Sequence, residues 1–166
     1  MPDAADRGMP GTSKGEIRPI VLYPDPILQA RCEPAGALTG PELEQLAADM
    51  LSTMYAAPGR GLAGPQVGVL RRIFVMDAGW KDGTPQPLVL IDPEILWTSE
   101  ETASAEEGCL SIPDRPVMVT RPEAIEIAWF GLDGRNYQRR MEGVEARIAQ
   151  HEADHLDGRL IVDTAT

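Results

Sequence analysis

The apolar patterning of this chain predicts an α+β fold. Short strand-like runs precede and surround two helical segments, and they never recur as the regular strand–helix–strand units that a parallel sheet requires. The length of 166 residues, with 43% hydrophobic content, suffices for one core and argues for one domain. That domain is expected over residues 17–166. Met1 to Gly15 is polar, rich in Gly and Pro, and lacks the apolar stretch of a secretory signal, so residues 1–16 read as a flexible N-terminal arm.

The elements follow in order. Ile17 to Tyr23 reads as a short strand ending in a Pro-bounded turn. Thr39 can cap a helix, Glu42 can close its capping box, and Leu38 can staple onto Leu43. Leu43, Leu46, Met50 and Met54 then fall at helical spacing through Ala57, a stripe that predicts core packing. Residues 60–68 form a Gly/Pro-rich loop. Ile73–Met76 and Leu88–Ile91 fit buried strands, and Ile125, Ile127 and Trp129 alternate with Glu126 and Ala128 as in a half-buried one. Leu132-Asp133-Gly134 turns the chain back through Tyr137 and Met141. A last helix is predicted from Gly143 to Leu156, with Gly158 as its stop.

Composition narrows the function classes. No apolar run approaches the roughly twenty residues of a membrane span. A net charge of −11 without a basic cluster disfavours nucleic-acid binding. Two cysteines, one of them in a candidate site, argue against a disulfide framework and for a reducing, cytoplasmic compartment; Cys32 reads as a small core or loop residue.

The chemistry concentrates at His151-Glu152-Ala153-Asp154-His155, which holds the only two histidines. Four residues apart on a helix, they share a face and can grip one metal ion, with Glu152 beside it as a base. A third ligand is needed. Downstream, only Asp157 and Asp163 are available in the eleven residues that follow, and Asp157 is too near on the same turn. Cys109, in Glu107-Gly108-Cys109-Leu110-Ser111, is the better donor, and a thiolate with two imidazoles leaves a fourth position open. Gly108 lets backbone come close to the ion. In the loop before the first buried strand, Gln66 can supply an uncharged donor to a developing negative charge.

Three stretches, residues 61–68 (Gly-Leu-Ala-Gly-Pro-Gln-Val-Gly), 107–111 (Glu-Gly-Cys-Leu-Ser) and 150–158 (Gln-His-Glu-Ala-Asp-His-Leu-Asp-Gly), resemble, in order, the three signature motifs of peptide deformylases. The resemblance runs from about Ile17 to about Asp163. It implies mixed, mostly antiparallel sheets packed around a central helix carrying the two histidines. It implies removal of the formyl group from the N-terminal methionine of newly made polypeptides. It also implies one divalent metal on Cys109, His151 and His155: Fe²⁺ in the cell, with Zn²⁺, Ni²⁺ or Co²⁺ on substitution. Glu152 would move the proton, while Gln66 and the Leu110 N–H would stabilise the oxyanion. Gly61 and Ile148 would wall the methionine slot, and extended peptide would pair near Gly61 and Gly108. The implied partners are N-formyl-methionyl nascent peptides, with transient ribosome contact.

The chain departs from the pattern in four places. Arg60 replaces a small aliphatic residue and, if it lines the methionine slot, would narrow or charge it. Gly64 replaces alanine, which suggests a more flexible loop. Glu145 stands where relatives are apolar. The chain stops soon after the metal helix and lacks the further C-terminal helix of many bacterial relatives, so a ribosome contact made by such a tail is not assumed. The rival readings are an altered pocket for another formylated substrate, a metal endopeptidase, and a non-catalytic metal-binding relative. The missing downstream ligand weighs against the peptidase, and the retention of Glu152 and Gln66 against the non-catalytic reading.

Overall fold

The computed structural model describes residues 15–164. Two helices and seven strands carry the architecture: α1 (Gly40–Ala56), β1 (Gly61–Ala63), β2 (Ile73–Met76), β3 (Leu88–Thr98), β4 (Thr102–Cys109), β5 (Ile112–Pro122), β6 (Ala124–Phe130), β7 (Asn136–Glu142) and α2 (Gly143–Leu156), followed by a single turn, α3 (Ile161–Thr164). Strands β1-β2-β3-β6-β7, in that order, form one sheet, and β4-β5 form a separate pair. Every strand pairing is antiparallel. The α+β expectation holds, with helices and antiparallel sheets as the sequence order implied.

Strand β2 explains how the layers meet. Its four residues are all buried because both faces of the large sheet are covered. Ile73 and Val75 point to one face, where Leu46, Met50, Leu51 and Met54 of α1 pack. Phe74 and Met76 point to the other, against Ala146, Ala149 and Leu156 of α2. This is the period-2 alternation of a strand, read against a helix on each side. Helix α1 begins as expected: Thr39 Oγ1 accepts from the Glu42 amide (3.2 Å) and Glu42 returns a bond to the Thr39 amide (2.9 Å). Helix α2 touches the large sheet through β1, β2, β6 and β7, and the small pair through β5. It therefore buries polar residues as well as alanines. It stops at Gly158, whose φ of 77° and tight approach to the Gln29 carbonyl suit only a residue without a Cβ.

Several expectations require correction. Residues 17–22 take no regular structure and join neither sheet, and Tyr23 begins a turn. The amides of this segment are used singly: Arg18 N–H donates to Thr53 Oγ1, Val21 N–H to the Gln66 carbonyl and Tyr23 N–H to the Ser111 carbonyl. The segment straps several elements together instead of following one edge. The Gly/Pro-rich loop contains a strand, β1, and a 3₁₀ turn over Gly64–Val67. Strand β3 runs on to Thr98, past Asp92 at φ 49°. The β4–β5 hairpin has no counterpart in the sequence reading. Of the expected arm, residues 1–14 lie outside the described residues. Its last residue, Glu16, donates its amide to Asp49 Oδ1 at 2.8 Å.

Candidate metal centre and substrate cleft

Cys109 ends β4, and His151 and His155 lie one turn apart on α2. The packing of α2 between the two sheets brings one ligand atom of each to within 4.8 Å of the others. Cys109 Sγ lies 3.5 Å from His155 Nε2. Two ligands on one tetrahedral ion, at bond lengths near 2.3 and 2.1 Å, would stand about 3.6 Å apart. The donor set and its spacing therefore fit a divalent metal of borderline softness. Asp157 and Asp163, the downstream alternatives, are engaged elsewhere: Asp157 pairs with Arg72 (3.1 Å) and Asp163 caps the Leu160 amide (3.0 Å).

Behind the ligands lies a network that the sequence reading missed. His151 Nδ1 bonds Glu107 Oε1 at 3.0 Å, which leaves Nε2 for the centre. Arg121 clamps Glu107 through Nε and Nη2 (2.7 and 2.9 Å), and Arg147 Nη1 adds a third bond at 2.6 Å. Arg121 also reaches Asp154 (2.9 Å), which gives that carboxylate a bracing position outside the ligand cluster. Burial would raise the Glu107 pKa, but the bonds from His151 and Arg121 hold it down at about 2. A fixed anion behind the imidazole orients it. The available signal was the position of Glu107, two residues before Cys109. Nothing local marked Arg121 or Arg147, which converge on it from 14 and 40 residues away.

Glu152 is buried on the same turn, and its Oε1 has no hydrogen-bond partner among the described residues. Burial pushes its pKa up, to about 7, against the pull of His151 and Arg121. Burial alone would lower the His151 pKa; Glu152, Cys109 and Glu107 around it raise it instead. His155 goes the other way, held neutral by burial and by the neighbouring His151 and Arg121. A neutral imidazole is the form that binds a metal. Gly61 is what admits Glu152: a Cβ there would stand 2.5 Å from Glu152 Oε2.

Gln66 is oriented from both ends. Its Oε1 accepts from the Ala63 amide (3.0 Å), and its Nε2 donates to Ser111 Oγ (3.1 Å) and lies 3.6 Å from Cys109 Sγ. Gly64 is buried, and a Cβ there would meet the Val69 and Arg71 carbonyls at 2.6 and 2.8 Å. The glycine thus serves close packing, contrary to the flexible loop expected from it. Glu145 pairs with Arg139 and does not line the cleft.

The residues expected to contact substrate, Arg60, Gly61, Gly108 and Ile148, all line one open cleft of about 1070 Å³ with Cys109, Leu110, His151 and Glu152. Gly108 lies at a register shift in the β4–β5 pairing, and a Cβ there would meet nothing within 4 Å. The opposite edge, at β1, is held from outside: Trp80 Nε1 donates to the Gly59 carbonyl (2.9 Å) and the Asp77 amide to the Arg60 carbonyl (2.8 Å).

A cysteine sulfur and two imidazoles around one point, beside a buried carboxylate and open to a cleft, define a metal-dependent hydrolase. A family model described as polypeptide deformylase matches residues 17–166. The chain is 45% identical to a peptide deformylase of Mesorhizobium japonicum over 147 residues, covering 89% of this chain and 83% of that protein. It is 45% identical to one of Nitrobacter hamburgensis over 151 residues, covering 89% and 86%. Its fold is similar to the crystal structure of peptide deformylase from Thermotoga maritima, with a TM-score of 0.85 and 39% identity over 91% of this chain and 99% of that one. The chain belongs to the peptide deformylase family, metalloenzymes that remove the formyl group from the N-terminal methionine of new polypeptides.

Proposed function

We propose that this cleft hydrolyses the N-formyl group of formyl-methionyl peptides, with Cys109, His151 and His155 holding one divalent metal, Fe²⁺ in the cell and Zn²⁺, Ni²⁺ or Co²⁺ on substitution. The observation that carries the reading is the convergence of those three donors beside a buried, unpartnered Glu152 Oε1. When bound, the metal supplies Lewis-acid activation of water and of the formyl carbonyl.

The chain's own groups do the rest. Glu152 accepts the proton of the attacking water on its carboxylate and passes it to the departing amine. Burial has already raised its proton affinity, which suits both halves of that task. The Gln66 amide and the Leu110 N–H stabilise the oxyanion as it forms. Ser111 and the Ala63 amide keep Gln66 from turning away. Strand β1 is an edge of the large sheet, and Gly108 lies on β4 across the cleft. An extended peptide can pair with these edges, with its methionine beside Gly61 and Ile148. A formyl carbon bears only hydrogen, so a narrow centre admits it and excludes acetyl. Such peptides are met in the cytoplasm as they leave the ribosome, any contact with which would be transient. No helix among the described residues is long and apolar enough to cross a membrane.

Replacing Cys109 by alanine tests the assignment. The variant is expected to keep its fold by circular dichroism, lose stoichiometric metal on dialysis, and lose formate release from formyl-Met-Ala-Ser. Full metal occupancy in Cys109→Ala would refute the ligand set.

A further inference from the structure

We propose that Arg60 selects peptides that carry an acidic side chain immediately after the formyl-methionine; the inference rests on the hydrolytic reading above. Arg60 stands at the bend that leads into β1, and its carbonyl accepts from the Asp77 amide at 2.8 Å, the bond that closes the Gly61–Met76 pair. Side chains along such a ladder alternate between faces. Gly61 faces Glu152, and Ala63 packs in the cluster on the α2 side. Leu62 packs in the cluster on the α1 side. Carried one residue back, that alternation assigns Arg60 to the face of Leu62, and Arg60 lines the cleft. A peptide laid along the β1 edge alternates in step with it. With the methionine on the face of Gly61 and Ile148, the following residue falls on the face of Arg60. The arginine therefore leaves the methionine slot uncharged and meets the next side chain instead.

The guanidinium is equipped for that contact. It is half-buried, yet among the described residues it has neither an ion-pair nor a hydrogen-bond partner. Of the other arginines lining the cleft, Arg147 is engaged with Glu107 and Arg140 with Glu142, while Arg115 stands exposed on β5. Lys81 stands on the same wall, its Nζ donating to the Pro58 carbonyl at 3.2 Å, and adds a second positive charge. Glu101, Glu106, Asp114, Glu123 and Glu142 also line the cleft, and among the described residues none of them pairs with Arg60. A protein of net charge −11 repels acidic peptides at long range, so a local cation with unused planar donors is the feature that would hold a carboxylate.

The test compares kcat/KM for formyl-Met-Asp-Ala and formyl-Met-Lys-Ala with the metal-loaded protein and its Arg60→Gln variant. The wild type is expected to favour Asp by about tenfold at low salt, mostly through KM, as one charge-assisted contact predicts. Added salt should shrink the ratio, and Arg60→Gln should bring it to within about twofold of unity, the contact being gone. Calorimetric titration with Met-Asp-Ala and Met-Lys-Ala reads the same ratio without turnover, with equal melting temperatures as the control for folding. An Asp-to-Lys ratio that is unchanged in Arg60→Gln, or a wild-type preference for Lys, would overturn the proposal. Failure to release formate from formyl-Met-Ala-Ala is a separate result: it would sink the hydrolytic reading, while the titrations still decide the role of Arg60.

Discussion

Exchanging Glu152 for glutamine is expected to lower kcat on a formyl-methionyl peptide by about 10²–10⁴-fold, the usual weight of a positioned general base. Glutamine has the shape of glutamate and cannot take up a proton, so the loss isolates proton transfer. Glu152 does not belong to the Cys109, His151, His155 cluster, so metal content should stay at one per chain. KM should move little, because Glu152 Oε2 fills the space beside Gly61 and an amide would fill it equally. Metal analysis together with steady-state kinetics checks both halves. Undiminished turnover in Glu152→Gln would remove it from the mechanism.

The second large effect falls behind the ligands. Glu107 is buried and bonded to Arg121, Arg147 and His151. Breaking a buried ion pair by removing one partner costs about 3–5 kcal/mol, because the other charges are left uncompensated. Glu107→Gln should lose that much stability at pH 7 and bind metal about 10–100-fold more weakly, as the loss of a histidine's orienting partner predicts.

The pH dependence follows from the direction of the shift. The folded pKa, about 2, lies below the ordinary 4.5, so the native state holds the ionised form more strongly than the unfolded chain does. The stabilisation, about 3 kcal/mol by linkage, is complete above pH 4.5 and lost as pH falls toward 2. Denaturant titrations of the metal-free proteins should therefore show the gap between wild type and variant closing over that range. A gap that stayed constant to pH 2 would mean that Glu107 is held by packing instead of charge.

The readable parts of the sequence were those whose burial is periodic. Thr39 and Glu42 announced α1, the Ile125–Trp129 alternation announced β6, and Gly143 and Gly158 bracketed α2. The β4–β5 hairpin was hidden because its stability is not written in apolar alternation. In Thr102–Cys109 the buried residues are Glu107 and Cys109, and β5 includes three prolines. Ile17–Tyr23 misled for the opposite reason: it has strand composition, but its amides bond singly to Thr53, Gln66 and Ser111 instead of forming a ladder. At the site, Cys109, Gln66, His151, Glu152 and His155 could be picked out by residue type and spacing, and the fold gathers them in one place. Arg121 and Arg147 could not, because their partner is a carboxylate distant in sequence. Their role exists only once α2 is packed against β4 and β5.

The most direct measurement is formate release from formyl-Met-Ala-Ser by protein loaded anaerobically with Fe²⁺, run beside acetyl-Met-Ala-Ser. The expected result is formate from the formyl peptide, in proportion to bound metal, and no cleavage of the acetyl peptide. Stoichiometric metal without formate would contradict the account and turn the search toward other formylated substrates for the same cleft.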